Sequence, residues 1–276
     1  MRAKGLCPGA FGRDPMQIPG SHPVGAETPL PQSGEGGVSS VGRSDLLDGI
    51  KQGVLLGAAI LALTLPPLRV SFIHTQPGPR YADFAGESAS ADAQHVANWV
   101  VDSGDNQQLF FVILDKKNTR VFVFDPSGKL RGATPVLIGA AKGDDSVTGI
   151  GGRPIAEVEP HERTTPAGRF VAEPGRNTLG EDVVWVDYDA AVSMHRVRTL
   201  EPAERRLERL ASPATDDNRI SYGCINMPVE FFENVLKPAF NARYGVVYVL
   251  PEVKTVGEVF TSAYDLAIRY GLKPAG

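Results

Sequence analysis

The sequence predicts a domain built mainly of β-strands with a few helices, a sandwich or barrel-like sheet, preceded by a disordered N-terminus and a membrane-targeting segment. Three observations predict it. Short runs of β-branched and aromatic residues recur between residues 107 and 251, parted by Gly, Pro and Asp turns. They show neither the strand–helix–strand alternation of a doubly wound sheet nor an internal repeat of roughly 20–50 residues. Residues 1–42 carry Pro8-Gly9, Pro19-Gly20 and Gly36-Gly37 without apolar periodicity, so they cannot bury enough surface to offset their ordering entropy.

From the N-terminus, 1–42 reads as low-complexity sequence, and a translation start downstream of it is a second reading. Residues 43–70 hold Arg43 and Lys51, then Gly53-Val54-Leu55-Leu56-Gly57-Ala58-Ala59-Ile60-Leu61-Ala62-Leu63. That run is at the short end of a bilayer span, and Pro66-Pro67 interrupts it. It fits a secretory signal or a signal-anchor on the inner membrane. Residues 71–106 form a linker and a short helix over Ser88–Asp102, with Ser88 or Ser90 as N-cap and Val96, Trp99 and Val100 on one face. Strands are expected at Leu109–Leu114, Arg120–Phe124, Pro135–Gly139, Arg169–Ala172, Val183–Val186, Ala191–His195 and Val246–Leu250. Residues 140–163 read as one long irregular connection. Helices are expected over Glu201–Ala211, with Ala203, Leu207 and Leu210 as its stripe, and over Pro228–Phe240. Residues 252–276 complete the chain as a tail with helical character.

Composition narrows the chemistry. Twenty-eight Lys and Arg stand against 32 Asp and Glu, a formal net charge of −4, which argues against a nucleic-acid partner tracking phosphates. Two cysteines exclude a disulfide-rich scaffold and a Cys-based zinc ribbon. Cys7 follows no apolar run, so it is not a lipidation cysteine. Cys224 is then the single cysteine of the exported domain, and an unpaired thiol in an oxidising compartment is either inert or reactive. Its surroundings, Ser221-Tyr222-Gly223-Cys224-Ile225-Asn226, favour reactivity: they are small and polar, Gly223 permits positive φ or close approach, and Pro228 opens a helix whose dipole would favour thiolate.

A thiol nucleophile needs a base. His22 and His74 lie in the leader region, His95 on the first helix and His161 in the irregular connection. His195 ends a strand, where a ring can be held rigidly toward a cleft, and is the candidate base. A zinc site from His161, His195 and Cys224 has no ligand spacing behind it.

His195 followed by Ser221-Tyr222-Gly223-Cys224-Ile225-Asn226 resembles the His…[Ser/Thr]-His-Gly-Cys-hydrophobic-[Asn/Arg] signature of the L,D-transpeptidase (YkuD-like) catalytic domain. Upstream, Thr165-Pro166-Ala167-Gly168-Arg169-Phe170 matches that family's Thr-Pro-x-Gly-x-Phe, and the order of elements agrees over 107–251. The resemblance implies a periplasmic or cell-envelope cysteine acyltransferase acting on peptidoglycan stem peptides. In it Cys224 forms a thioester, His195 moves the proton, the carbonyl of Arg196 orients the ring, and Gly223 and Cys224 amides form the oxyanion hole. Ser221, Tyr222 and Asn226 line the substrate, and no cofactor or metal is implied.

Two departures stand out. Tyr222 occupies the place of the family's second His, and a phenol with pKa about 10 cannot act as a base at neutral pH. The gap between His195 and Ser221 is wider than in the family, the excess corresponding to Glu201–Ala211, read either as a solvated helix with a Glu201–Arg205 pair or as a lid over Cys224. Rival readings are a catalytically drifted wall-binding module of the same fold, and a sortase-like transpeptidase. The latter lacks an Arg shortly after the cysteine, Arg243 being the nearest. A papain-like protease would need Cys before His.

Overall fold

The apolar runs pair into an eight-stranded sheet. In the computed structural model the described residues are 50–51, 53–56, 78–241 and 243–272. The chain divides into two units, one holding Gly78–Gly276 and the other spanning Asp14–Pro77. Of the second, the described residues 50–51 and 53–56 are helical, and the rest of the expected targeting segment lies outside the described residues. No helix among the described residues is long and apolar enough to cross a membrane.

In the first unit the elements run α1 (Ala91–Ser103), β1 (Phe111–Asp115), β2 (Arg120–Phe124), β3 (Leu130–Pro135), β4 (Ile138–Gly139), β5 (Gly168–Arg176), β6 (Asp182–Asp187) and β7 (Val192–Arg196). There follow α2 (Arg206–Ala211), β8 (Arg219–Ser221), β9 (Ile225–Met227), α3 (229–239), β10 (Gly245–Val249), α4 (Val256–Val259) and α5 (Leu266–Tyr270). The strand order is β3-β2-β1-β10-β5-β6-β7-β9, with β4 and β8 paired separately. Most neighbours are antiparallel, but β1 with β10 and β7 with β9 run parallel. The predicted class, mainly β with helices, is the observed one.

Both faces of β1, β2 and β10 are buried, which is why their sequences read as continuous apolar runs rather than alternating ones. Phe111, Ile113, Phe122, Phe124 and Tyr248 face α1 through Val96, Trp99 and Val100. Val112, Leu114, Val121, Val123, Val247 and Val249 face Phe232 and Leu236 of α3 and Phe240 just past its end. Helix α1 starts where Ser90 accepts a hydrogen bond from the Ala93 amide and stops at left-handed Gly104. Residues on both flanks of 107–251 pack on the same sheet. Phe260 is buried beside Trp99, and Tyr264 and Tyr270 donate to Asp102 of α1.

Several expectations need correction. The third strand is β3 at Leu130–Pro135, with Ile138–Gly139 a separate short strand, because past Val136 the chain leaves β2 and pairs with β8 instead. Glu201–Ala211 is not one helix. A 3₁₀ turn at Pro202–Glu204 ends in left-handed Arg205 (φ 50°), and only Arg206–Ala211 is α-helical. Arg205 accordingly pairs with Glu208, not Glu201. In α3 the stretch Phe232–Leu236 is a π-helical turn, which sequence periodicity does not reveal.

Candidate active site

Strands β7 and β9 carry the two candidate residues to one corner. Their parallel register sets His195 beside Asn226, Met194 beside Ile225 and Arg196 beside Met227. Met194, Ile225 and Met227 enter the core, so strand alternation turns Ser193, His195, Cys224 and Asn226 to the opposite face. Cys224 Sγ lies 3.8 Å from Ser193 Oγ and 3.5 Å from the Ala191 carbonyl oxygen. His195 is the next residue on that face, level with Asn226 and so diagonal to the position of Cys224. The sequence thus brings Cys224 and His195 to adjoining positions, with the hydroxyl of Ser193 beside the sulfur.

His195 is buried, and its Nδ1–H donates to the Arg196 carbonyl at 2.7 Å. A carbonyl only accepts, so Nδ1 holds the proton and Nε2 is left as the basic nitrogen. Burial pushes the imidazole down to about 4, with Arg198 and Arg206 pushing the same way and the Arg196 carbonyl and Glu181 opposing. The ring is therefore neutral at neutral pH. The Arg196 side chain turns away, donating to Glu233 at 2.6 Å and lying over the Phe232 ring.

The loop before β9 is held by bonds to backbone. Gly223 has φ 124°, and a Cβ there would come within 2.7 Å of the Thr164 carbonyl oxygen. Glycine is thus required for close approach of backbone to backbone. Thr165, first residue of the Thr-Pro-x-Gly-x-Phe element, donates its hydroxyl to the Gly223 carbonyl at 2.8 Å and accepts from the Gly139 amide at 2.9 Å. Its own carbonyl accepts from Lys116, whose Nζ is fully buried and also donates to Gly143 O and Asp144 Oδ1. All three ammonium donors are used. Burial alone would raise the Asp144 carboxyl, but Lys116 and the amides of Lys254, Glu252 and Val253 outweigh it and hold it down to about 2. Arg219 and Glu252 complete this buried charge cluster.

The geometry corrects four expectations. Cys224 is not an unpaired thiol: it is disulfide-bonded, and its partner lies outside the described residues, so any thiol chemistry requires prior reduction. Strand β9 separates it from α3 by three extended residues, beyond the first-turn range of a helix dipole, so that dipole does not act on the sulfur. Ser221 and Asn226 are 3% and 1% exposed and face the loop rather than a cleft. Ser221 Oγ donates to the Cys224 carbonyl and accepts from the Gly223 amide at 3.1 Å, and Asn226 Nδ2 donates to the same carbonyl. Finally, the Gly223 amide is spent on Ser221, so it would have to exchange that partner before meeting an oxyanion.

Tyr222 is half-buried, its ring covered by the Arg163 guanidinium at 4.0 Å from the centroid, with Arg163 anchored on the Val158 carbonyl. His161 sits exposed in the 3₁₀ turn Pro160–Glu162, and His95 on α1. No cluster of three or more His, Cys, Asp or Glu side chains able to hold a metal occurs among the described residues. Sequence reasoning assigned no role to Ser193, Lys116 or Arg206. Of these Ser193 was findable, since it shares the strand parity of His195.

No protein-family model matches the chain, and no curated protein does. Solved structures similar to it include a helical-cell-shape-determining protein of Campylobacter jejuni (14% identity, TM-score 0.36, 60% of this chain and 58% of that one). The catalytic domain of an Enterococcus faecium L,D-transpeptidase is similar at 20% identity and TM-score 0.28, over 52% of this chain and 96% of that one. An L,D-transpeptidase of Xylanimonas cellulosilytica gives 13%, 0.30, 51% and 60%. The match thus spans under two thirds of the Campylobacter and Xylanimonas chains.

Proposed function

We propose that the chain is an exported cysteine acyltransferase of the cell envelope, acting on peptidoglycan stem peptides, with residues 43–70 as its export signal or membrane anchor. The observation that carries this reading is a neutral, buried imidazole, fixed as the Nδ1–H tautomer by the Arg196 carbonyl, on the strand face next to Cys224. It adds to the two sequence motifs, which meet in space where Thr165 binds Gly223.

In the reduced enzyme, Nε2 of His195 takes the thiol proton as Sγ attacks the carbonyl of the third stem residue. The tetrahedral oxyanion is met by the Cys224 amide and, once released from Ser221, the Gly223 amide. Collapse breaks the amide bond, and the imidazolium returns its proton to the departing amine of the terminal D-residue. An acceptor amine, or water, then attacks the thioester, the C–S bond breaks, and the thiol is restored.

The test incubates reduced protein with purified sacculi and resolves the muropeptides. New L,D cross-links or shortened stems, absent with Cys224→Ala, are expected. Unaltered muropeptides with reduced wild type overturn the proposal. A second reading, a wall-binding module with a drifted site, draws on Tyr222 beneath Arg163; it predicts sacculus binding with unaltered muropeptides.

A further inference from the structure

The segment between β7 and β8 is the length excess that sets this chain apart from the family pattern, and it does not lie loosely over the site. Leu210 of α2 is buried against Leu137 and Val197, with Ile220 packed beside them, while Leu207 on the same short helix is 57% exposed. One charged side chain of α2 goes inward with Leu210. Arg206 is 7% exposed, its Nε paired with Glu204 at 2.5 Å and its Nη1 donating to Asn226 Oδ1 at 2.8 Å. An amide side chain has one acceptor end and one donor end, so the guanidinium fixes which way Asn226 points. Its Nδ2 is thereby aimed at the Cys224 carbonyl, 3.1 Å away. A continuous chain of bonds runs from α2 through Asn226 to the backbone of the candidate nucleophile. A buried guanidinium is costly to desolvate, and such a cost is expected where a single geometry is being specified.

Resting on the reading of Cys224 and His195 as nucleophile and base, we propose that Arg206 is a positioning residue, delivered by the 197–218 segment, that orients Asn226 and through it sets the Cys224 backbone beside His195. Its charge has a second effect. The charged groups around His195 are Glu181 from the turn before β6, Arg198 just past β7, and Arg206 from α2. Two cations against one anion favour the neutral ring, which is the form able to accept a proton. The segment is then a buttress, not the lid that its sequence also allowed.

The experiment uses full-length protein under reductant. It reads the alkylation rate of Cys224 with iodoacetamide by peptide mass mapping, which separates it from Cys7, and the His195 titration by NMR. Neither readout depends on turnover, so inactivity of the wild type on sacculi would defeat the proposed function without touching this test. Folded Arg206→Met should slow Cys224 alkylation about tenfold and move the His195 titration to higher pH. Arg206→Lys should keep the titration, through its charge, while retaining most of the slowing, through loss of the planar fork. Asn226→Ala should slow alkylation to the same extent and leave the titration in place. Should Arg206→Met not fold, the last two variants decide. Alkylation within twofold of wild type in Arg206→Lys and Asn226→Ala, or an unmoved His195 titration in folded Arg206→Met, overturns the assignment.

Discussion

The β1–β2–β10 half of the sheet and the β7–β9 corner are built on different physics. In the first, nearly every side chain is apolar and buried, Phe111 stacks on Phe124, and Trp99 meets Tyr248 edge to face. Stability there comes from removing hydrocarbon from water, and many substitutions of similar volume would serve. At the corner, buried groups are polar: Thr165, Ser221, Asn226, Arg206, Lys116 and Asp144. Each is tied to a particular backbone atom or charge, so identity matters more than volume. One half sets the energy of the fold, the other sets the geometry of a few atoms.

The comparison can be broken from either side. Cys224→Ala should abolish acyl transfer, while urea unfolding under reductant changes by about 1 kcal/mol or less. A turnover signal equal to wild type would remove the acyl-enzyme from consideration. Trp99→Ala on the opposite half should cost about 3–5 kcal/mol in the same unfolding experiment. Cys224 in the folded fraction should alkylate at the wild-type rate, since Trp99 touches nothing at the corner. Gly223→Ala forces a side chain into a left-handed position and against the Thr164 carbonyl, at a cost of about 1–3 kcal/mol. Here loss of thiol reactivity should accompany the loss of stability.

Thr165→Val leaves the Gly139 amide without its acceptor and the Gly223 carbonyl without its donor, and should destabilise by about 1–3 kcal/mol. Retained alkylation kinetics in that variant would show that the nucleophile loop is held by other contacts. A further difference is in pH. His195 has its imidazole lowered from 6.5 to about 4 by burial, so between these values the unfolded chain binds the extra proton. The contribution is complete above 6.5 and fades as pH falls through 4. Unfolding midpoints should drop more steeply over that window in wild type than in His195→Ala, and parallel curves would contradict the burial of a neutral ring.

Much of the apolar half was legible in sequence, because hydrophobic runs such as Phe111–Leu114 and Val121–Phe124 are local signals. At the corner only part was. The Cys224 and His195 motifs could be read, and positive φ at Gly223 was one of two readings open to a glycine before the nucleophile. The roles of Ser221 and Asn226 could not, since burial of a polar side chain depends on partners distant in sequence, here for Asn226 the backbone of Leu137 beside it and the guanidinium of Arg206. Lys116 sits in a turn sequence, Asp115-Lys116-Lys117-Asn118, that reads as solvated; its burial depends on Asp144, 28 positions away. The broken helix at Arg205 needed knowledge that its neighbour Arg206 would be drawn inward.

The central claim is that Cys224, once reduced, is an acylable nucleophile served by His195. The most direct measurement is the intact and peptide-level mass of reduced, folded protein after exposure to a carbapenem. A single acyl adduct on the Cys224 peptide, absent in Cys224→Ala and formed far more slowly in His195→Ala, is the predicted result. No adduct on reduced wild type, or an equal rate without the histidine, would contradict it.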